Sequence, residues 1–385
     1  MANLRDLMLD ASGSVADLGI LLPIAAALVL HNGLDAATVF VGVGALYLAA
    51  GLYFRVPVPV QPIKAAAAVA IARDLPVSTL AAAGVLLGAA LVLLGATGAS
   101  RRLGRLFAKP IVRGLQLGVG LILVLSAPHL APPPIQRSVG VVAALVAGLL
   151  ILAAVRWSGR WPMALLVLAA WLVYSFATGA SNPPMRPSLW HPHLVDTFVP
   201  ATLWSALILL VIPQLPLTLG NAVFALADLE REYFGPRARR VTPTSISLSC
   251  GLANLAVGVL GGMPMCHGSG GLTAHYRAGA RTRRMNLMIG GVLFAVGMLL
   301  GPLAIAIMAW IPVAVLMGFL LFAGTLHALL VRDLRGLDLG VALTMGIVGA
   351  LTTNLAVALL VGLVLHWIPA LMRTRRETSQ AVGSG

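Results

Sequence analysis

Apolar runs of lipid-spanning length follow one another along nearly the whole chain, broken only by short polar or basic stretches. They fall at about 15–31, 35–54, 61–73, 77–98, 108–127, 137–155 and 161–179. After a proline-rich polar stretch they resume at about 198–229, 242–261, 267–277, 286–309, 311–331, 338–352 and 353–371. A helix needs roughly 20 apolar residues to cross about 30 Å of hydrocarbon. Segments 61–73 and 267–277 are too short for that and read as half-helices. Each opens on a break, Val58-Pro59-Val60-Gln61-Pro62-Ile63-Lys64 in one half and Met263-Pro264-Met265-Cys266-His267-Gly268-Ser269-Gly270-Gly271 in the other. Lipid cannot satisfy backbone groups freed at such breaks, so both must face protein or a water-filled cavity. Broken helices at corresponding places in two halves mark the binding site of a transporter.

The pattern predicts an all-α polytopic membrane protein of fourteen segments, seven per half. An odd number per half inserts the second half upside down, giving two inverted repeats. The expected bounds are 1–180 for the first repeat, 181–197 for an extracellular connection, 198–372 for the second repeat and 373–385 for a short cytoplasmic tail. Loop charges agree with this count. With the N-terminus in the cytoplasm, all 26 Lys and Arg fall inside except Arg73, Arg137, Arg186 and the membrane-depth Lys64, as the positive-inside rule requires. Composition removes the soluble alternative. Hydrophobic residues make up 59% and charged residues 10%, against roughly 25% charged in soluble domains. The net charge of +14 lies in short interhelical clusters and does not imply nucleic acid. Cys250 and Cys266 imply no disulfide framework.

The breaks carry the candidate chemistry. Pro62 suits a first helical position, so the helix start after it presents free N–H groups and the positive end of a dipole. Lys64 sits in that first turn, where both dipole and bilayer disfavour a cation. A bound anion or Asp17 would offset both; the plain alternative is a lysine that snorkels and anchors the helix. Gly268, Ser269 and Gly270 leave the second helix start without bulk, which suits an anion, although glycine also marks close helix packing. Gln61, Gln214, Thr218 and Asn221 are the other polar side chains embedded here, and both glutamines can donate to an oxyanion. Asp17 reads as a proton-coupling group, as a counter-charge to Lys64, or as a helix cap. His267 reads as a proton carrier or a structural histidine. The expected substrate-binding set is Gln61, Lys64, Gln214, Thr218, His267, Gly268, Ser269 and Gly270, with Asp17 as the proton-coupling candidate. No cofactor, metal site or nucleophile–base pair is expected, and an enzyme is disfavoured.

Asp17-Leu18-Gly19 with Pro23, Pro57 to Lys64, Pro213-Gln214-Leu215-Pro216-Leu217-Thr218 and Pro264 to Gly271, with Tyr276-Arg277 and Gly279-Ala280-Arg281, together resemble the molybdate transporter type 1 family within the sulfate permease group. The resemblance implies uptake of molybdate, with sulfate and tungstate as related oxyanions. It also implies the inverted-repeat fold shared with nucleobase transporters, in which a core domain moves against a gate domain. Sulfate permeases usually carry a STAS domain after the last helix, and none is expected here. The resulting reading is a secondary active importer in the inner (plasma) membrane, multi-pass, with both termini cytoplasmic. A homodimer is compatible with it. Sulfate or nucleobase transport on the same fold are the alternatives, and a passive anion channel is the alternative from another class.

Overall fold

The computed structural model describes residues 4–104, 107–131, 136–157, 173, 189–197, 199–301 and 312–367. The expected segment 161–179, residues 302–311 of the segments around them, most of the 181–197 connection and the 373–385 tail lie outside these residues, apart from the isolated residue 173.

An unforeseen helix α1, Leu4–Ser14, leads through a tight turn into α2, Leu18–Leu30. Helix α3, Ala36–Phe54, starts where the Asp35 carboxylate accepts the Thr38 N–H at 2.6 Å and the Thr38 hydroxyl at 2.7 Å. The first break then forms a two-residue strand β1, Gln61–Pro62, followed by α4, Lys64–Ala72. Helices α5, Val77–Thr97, and α6, Ser100–Gly104, come next. They are followed by α7, Lys109–Ser126, and α8, Gln136–Trp157. In the second half Pro200–Ala206, Leu207–Val211, Ile212–Leu217, Thr218–Phe224 and Ala225–Phe234 run on as one helix, α9. Its second and fourth pieces are wound as π-helix. Such wide turns are rare and gather at functional sites. Helix α10, Pro243–Val259, opens with a Thr242/Ser245 capping box. Strand β2, Met265–Cys266, and α11, Ser269–Arg277, repeat the β1–α4 arrangement. Helices α12, Arg284–Leu300, α13, Val313–Ala328, α14, Gly336–Thr352, and α15, Leu355–Trp367, are the last among the described residues.

The two halves grip each other reciprocally. Helix α3 packs along α12 and α5 along α10, while β1 pairs antiparallel with β2 in the register Gln61↔Cys266 and Pro62↔Met265. These pairs exchange under the half-to-half correspondence, as an inverted repeat demands. Both long pairs close through glycines. A Cβ on Gly297 would meet Val41 N at 2.7 Å, and one on Gly258 would meet Val85 N at 2.7 Å. Without a hydrophobic force between helices in lipid, such backbone-close contact supplies the attraction. Helices α7, α8, α13 and α14 form the other bundle, with α7 beside α14 and α8 beside α13. The fold is therefore the expected polytopic inverted repeat with two broken half-helices. Each half-helix has 9 residues, about 14 Å long, or half the hydrocarbon thickness.

One local expectation is corrected. Pro62 does not open α4; it sits in β1, and α4 begins at Lys64 with Ile63 extended before it. The N–H of Ile63 goes to Pro264 O at 3.1 Å. Pairing with the second break takes up a backbone donor that an earlier helix start would have left free.

Candidate functional site

Non-helical backbone at membrane depth survives only if its polar groups are met within the protein. Two asparagines do much of this. Asn286 on α12 accepts Val58 N–H at 3.0 Å and donates to Val58 O at 2.6 Å. Asn254 on α10 accepts Met265 N–H at 2.8 Å and donates to Met265 O at 2.7 Å. Each amide acts as a one-residue strand partner. Both are fully buried, and each break is thereby fixed to a full-length helix.

The start of α4 holds a relay of polar side chains. Asp17, buried in the turn between α1 and α2, accepts Gln61 Nε2 at 2.7 Å on each carboxylate oxygen. The other end of the same amide, Gln61 Oε1, accepts from Lys64 Nζ at 2.9 Å. Asp17 makes no side-chain cap to α2, so the capping reading is set aside. Gln61 stands between it and Lys64, so they are not a direct ion pair either. Because Asp17 Oδ atoms and Lys64 Nζ fix which end accepts and which donates, the amide has one orientation. Gln214, in the α9 segment between the two π turns, reaches across to the same helix start. Its Oε1 accepts Ala65 N–H at 3.1 Å and Ala66 N–H at 3.3 Å, and its Nε2 donates to Thr218 Oγ1 at 3.0 Å. An amide oxygen thus occupies the donors that the positive end of α4 offers.

Next to this helix start lies a cavity of about 30 Å³, room for about two water-sized spheres. Lys64, Ala65 and Pro62 form one wall, Gln214, Leu217 and Asn221 another, and Gln116, Val119 and His327 a third, with Cys266 beside them. The walls come from both bundles.

The second half-helix plays a different part from the one expected. His267 does not reach the cavity. Its Nδ1 lies 2.7 Å from Pro59 O and its Nε2 2.9 Å from Ser249 Oγ, so both ring nitrogens are held in the scaffold. Gly268 is small because a Cβ there would collide with Gln61 Oε1, and one on Gly271 would lie 2.7 Å from both Asp17 Oδ2 and Gln61 Nε2. These glycines let α11 back the relay. The Ser269 hydroxyl donates to Asn221 Oδ1 at 2.5 Å, and so touches the cavity wall indirectly. Around Gly270 a Cβ would meet nothing within 4 Å.

Four participants escaped the sequence reading: Asn254, Asn286, Gln116 and His327. A fifth is His275, whose Nδ1 lies 2.7 Å from Gly13 O and whose Nε2 lies 3.3 Å from the Tyr47 hydroxyl. Apart from His275, which lies among the polar residues of α11, they are polar residues in apolar helices. That placement was the available signal, since an intramembrane polar side chain must face a partner or a cavity.

Comparison with known proteins places this architecture. Residues 10–123 and 206–326 match the family described as "Molybdate transporter of MFS superfamily". Molybdate transporter 2 of Arabidopsis thaliana is 32% identical over 375 residues, covering 85% of this chain and 79% of that protein. Molybdate transporter 1 of the same plant is 29% identical, covering 86% and 81%. Molybdate transporter 1 of Chlamydomonas reinhardtii is 28% identical, covering 85% and 84%. Among solved structures, the transmembrane domain of the cyanobacterial bicarbonate transporter BicA superposes with a TM-score of 0.66 at 19% identity, covering 93% of this chain and 98% of that one. The murine anion transporter Solute Carrier 26 family member A9, in its inward-facing state, gives 0.66 at 15% identity, covering 97% and 70%. Those two likenesses establish the shared fold, and the matches in sequence establish the kinship. The chain is a membrane anion transporter, not an enzyme, and it belongs to the molybdate transporter family.

Proposed function

We propose that the protein imports a tetrahedral oxyanion, molybdate ahead of sulfate and tungstate, by alternating access at the α4 cavity. The observation that carries this reading is the Lys64 ammonium beside the N-terminus of a half-helix, in a cavity walled by both bundles. A helix start and a lysine together suit an anion, and the sequence relatives named as molybdate transporters suggest which one. An arriving oxyanion replaces Gln214 Oε1 at Ala65 N and Ala66 N and takes hydrogen bonds from Lys64. Gln214 Nε2 and Thr218 supply the next layer. Gln61 holds Lys64 in place, while Ser269, through Asn221, and the open approach to Gly270 complete the far side. His267 and Gly268 serve by holding the breaks together. Asp17, behind Gln61, is the candidate for coupling a proton to import, since its charge is felt at Lys64 through the amide.

The reading includes an inner-membrane location, both termini in the cytoplasm, and inverted repeats over 1–180 and 198–372. A single cysteine placed beyond Arg376 should resist membrane-impermeant thiol reagents in intact cells; labelling from outside would refute the topology. Calorimetric titration of the purified protein with molybdate, tungstate, sulfate and uracil tests the substrate class. Molybdate should bind most tightly and uracil not at all. Tight uracil binding would transfer the protein to the nucleobase branch of the fold.

A further inference from the structure

The cavity is short of positive charge for the ligand proposed above. Lys64 Nζ is already turned to Gln61 Oε1, and Asp17 stands behind the same amide. The ammonium and carboxylate therefore balance. A dianion entering beside them meets only the roughly half charge of the α4 N-terminus. Burying two negative charges with so little compensation is unfavourable, and a second cation must come from somewhere.

His327, near the end of α13, lines the cavity from the bundle that does not carry α4. Its Nδ1 lies 3.1 Å from Ala323 O, one turn back on its own helix. A carbonyl only accepts, so Nδ1 carries the hydrogen in either protonation state. Nε2 is then the nitrogen left for the cavity, and no hydrogen-bond partner holds it among the described residues. We propose that His327 is a substrate-coupling residue, which takes a proton on Nε2 when the oxyanion binds and donates it as a charge-assisted hydrogen bond to the anion from the bundle of α7, α8, α13 and α14. The step is a simple protonation: a water-borne proton joins the Nε2 lone pair, and the bound pair gains one positive charge. With the cavity empty, Lys64 repels a proton at that place; a dianion between the two reverses the sign.

The surroundings leave His327 as the group able to do this. Across the cavity the titratable neighbours are Lys64 and the Cys266 thiol. Helix α2 is flanked by Asp17 at its start, held by Gln61, and by His31 at its end, which meets Asp74 and is not among the cavity's lining residues. Helix α7 carries Lys109 and Arg113, both paired with Asp333 just beyond α13; Arg113 also donates to Gln116 Oε1 at 2.8 Å, behind the cavity wall, and is not itself among the lining residues. Arg332 in that stretch and His129 after α7 are not among the cavity's lining residues. Residues 139–149 of α8 contain no titratable side chain. The residue also sits on the bundle that does not carry α4, so a proton held there would tie anion binding to closure of one bundle on the other.

This inference rests on the oxyanion reading and can fail separately from it. Calorimetry with sodium molybdate on the full-length protein, between about pH 6 and 8 where histidines titrate, should show the Kd weakening by up to about tenfold per pH unit, the linkage slope for one proton taken up per anion. Paired buffers of unlike ionisation enthalpy should report about one proton bound per molybdate. His327→Gln should flatten the slope and remove that proton, while His129→Gln, outside the cavity, should keep both. A His327→Gln protein with the wild-type slope and proton count overturns the assignment. Should His327→Gln not fold, His327→Asn is measured in its place, and a wild type that binds no proton with molybdate overturns the assignment. If wild type binds neither molybdate, tungstate nor sulfate, both readings fall together.

Discussion

The two half-helices are alike in backbone and unlike in chemistry. Both have 9 residues, both follow a two-residue strand, and both have their strands paired to each other. Yet α4 opens with Lys64 and points its first N–H groups at the cavity, whereas α11 opens with glycines that press on Gln61 and Asp17. The repeat supplies a symmetric frame, and on the function proposed above one arm of it faces the ligand while the other supports it. A positive helix end is therefore not a binding site by geometry alone. What distinguishes α4 is that its neighbours leave its donors reachable by a replaceable side chain, Gln214.

The division of labour can be broken in order of size. Gly271→Leu should have the largest effect, because its Cβ alone would crowd Asp17, Gln61 and Pro59. Molybdate binding should be lost, with about 1–3 kcal/mol of destabilisation, the usual scale of overpacking. A folded Gly271→Leu protein with normal affinity would show that α11 does not back the relay. Next come the clamps. Asn254→Ala and Asn286→Ala each leave one buried N–H and one carbonyl unmet, so each should lower stability by about 2 kcal/mol in denaturant unfolding. Similar losses from both would show that the two arms are equally dependent on their clamps; a loss from only one would make the frame itself asymmetric. Lys64→Gln should leave the fold intact and weaken molybdate at least about tenfold in calorimetry, near 1.4 kcal/mol. Unchanged affinity would reduce Lys64 to an anchor. The smallest effect belongs to Gly270→Ala, which meets open space. Affinity should stay within roughly 0.5 kcal/mol, and a larger drop would mean that α11 touches the anion after all.

What could be read from the sequence followed a physical rule: a polar or helix-breaking residue in an apolar run needs an explanation. Pro59, Gln61, Lys64, Pro264 and the glycines after His267 were conspicuous for that reason, and they led to the two breaks and to Gln214. The same rule applied to Asn254, Asn286 and His327 would have flagged them, but a single amide or imidazole within a helix gives no hint of its partner. Their roles depend on residues far away in sequence, such as Val58 for Asn286. The place of Pro62 was misread because local preference favours a helix start, and only the pairing with β2 says otherwise. Helix α1 carries too few apolar residues in a row to stand out, and it is held instead by Asp10, whose carboxylate accepts Arg281 N–H at 2.8 Å and Thr282 N–H at 3.0 Å.

The pairing of the two breaks also fixes when the site comes into being. Pro59 and His267, which meet beside the strands, are separated by 208 residues. During synthesis the first half must wait in the bilayer with the N–H groups of Val58, Ile63, Ala65 and Ala66 unpartnered until their acceptors in the second half have been made. Long-range pairings of this kind are slow to form, and unpaired backbone in lipid is strongly disfavoured meanwhile. The paired breaks are thus among the last parts of the molecule to mature. Lesions at β1 or β2 should appear first as poor yield of inserted protein, before any measurement of transport is made.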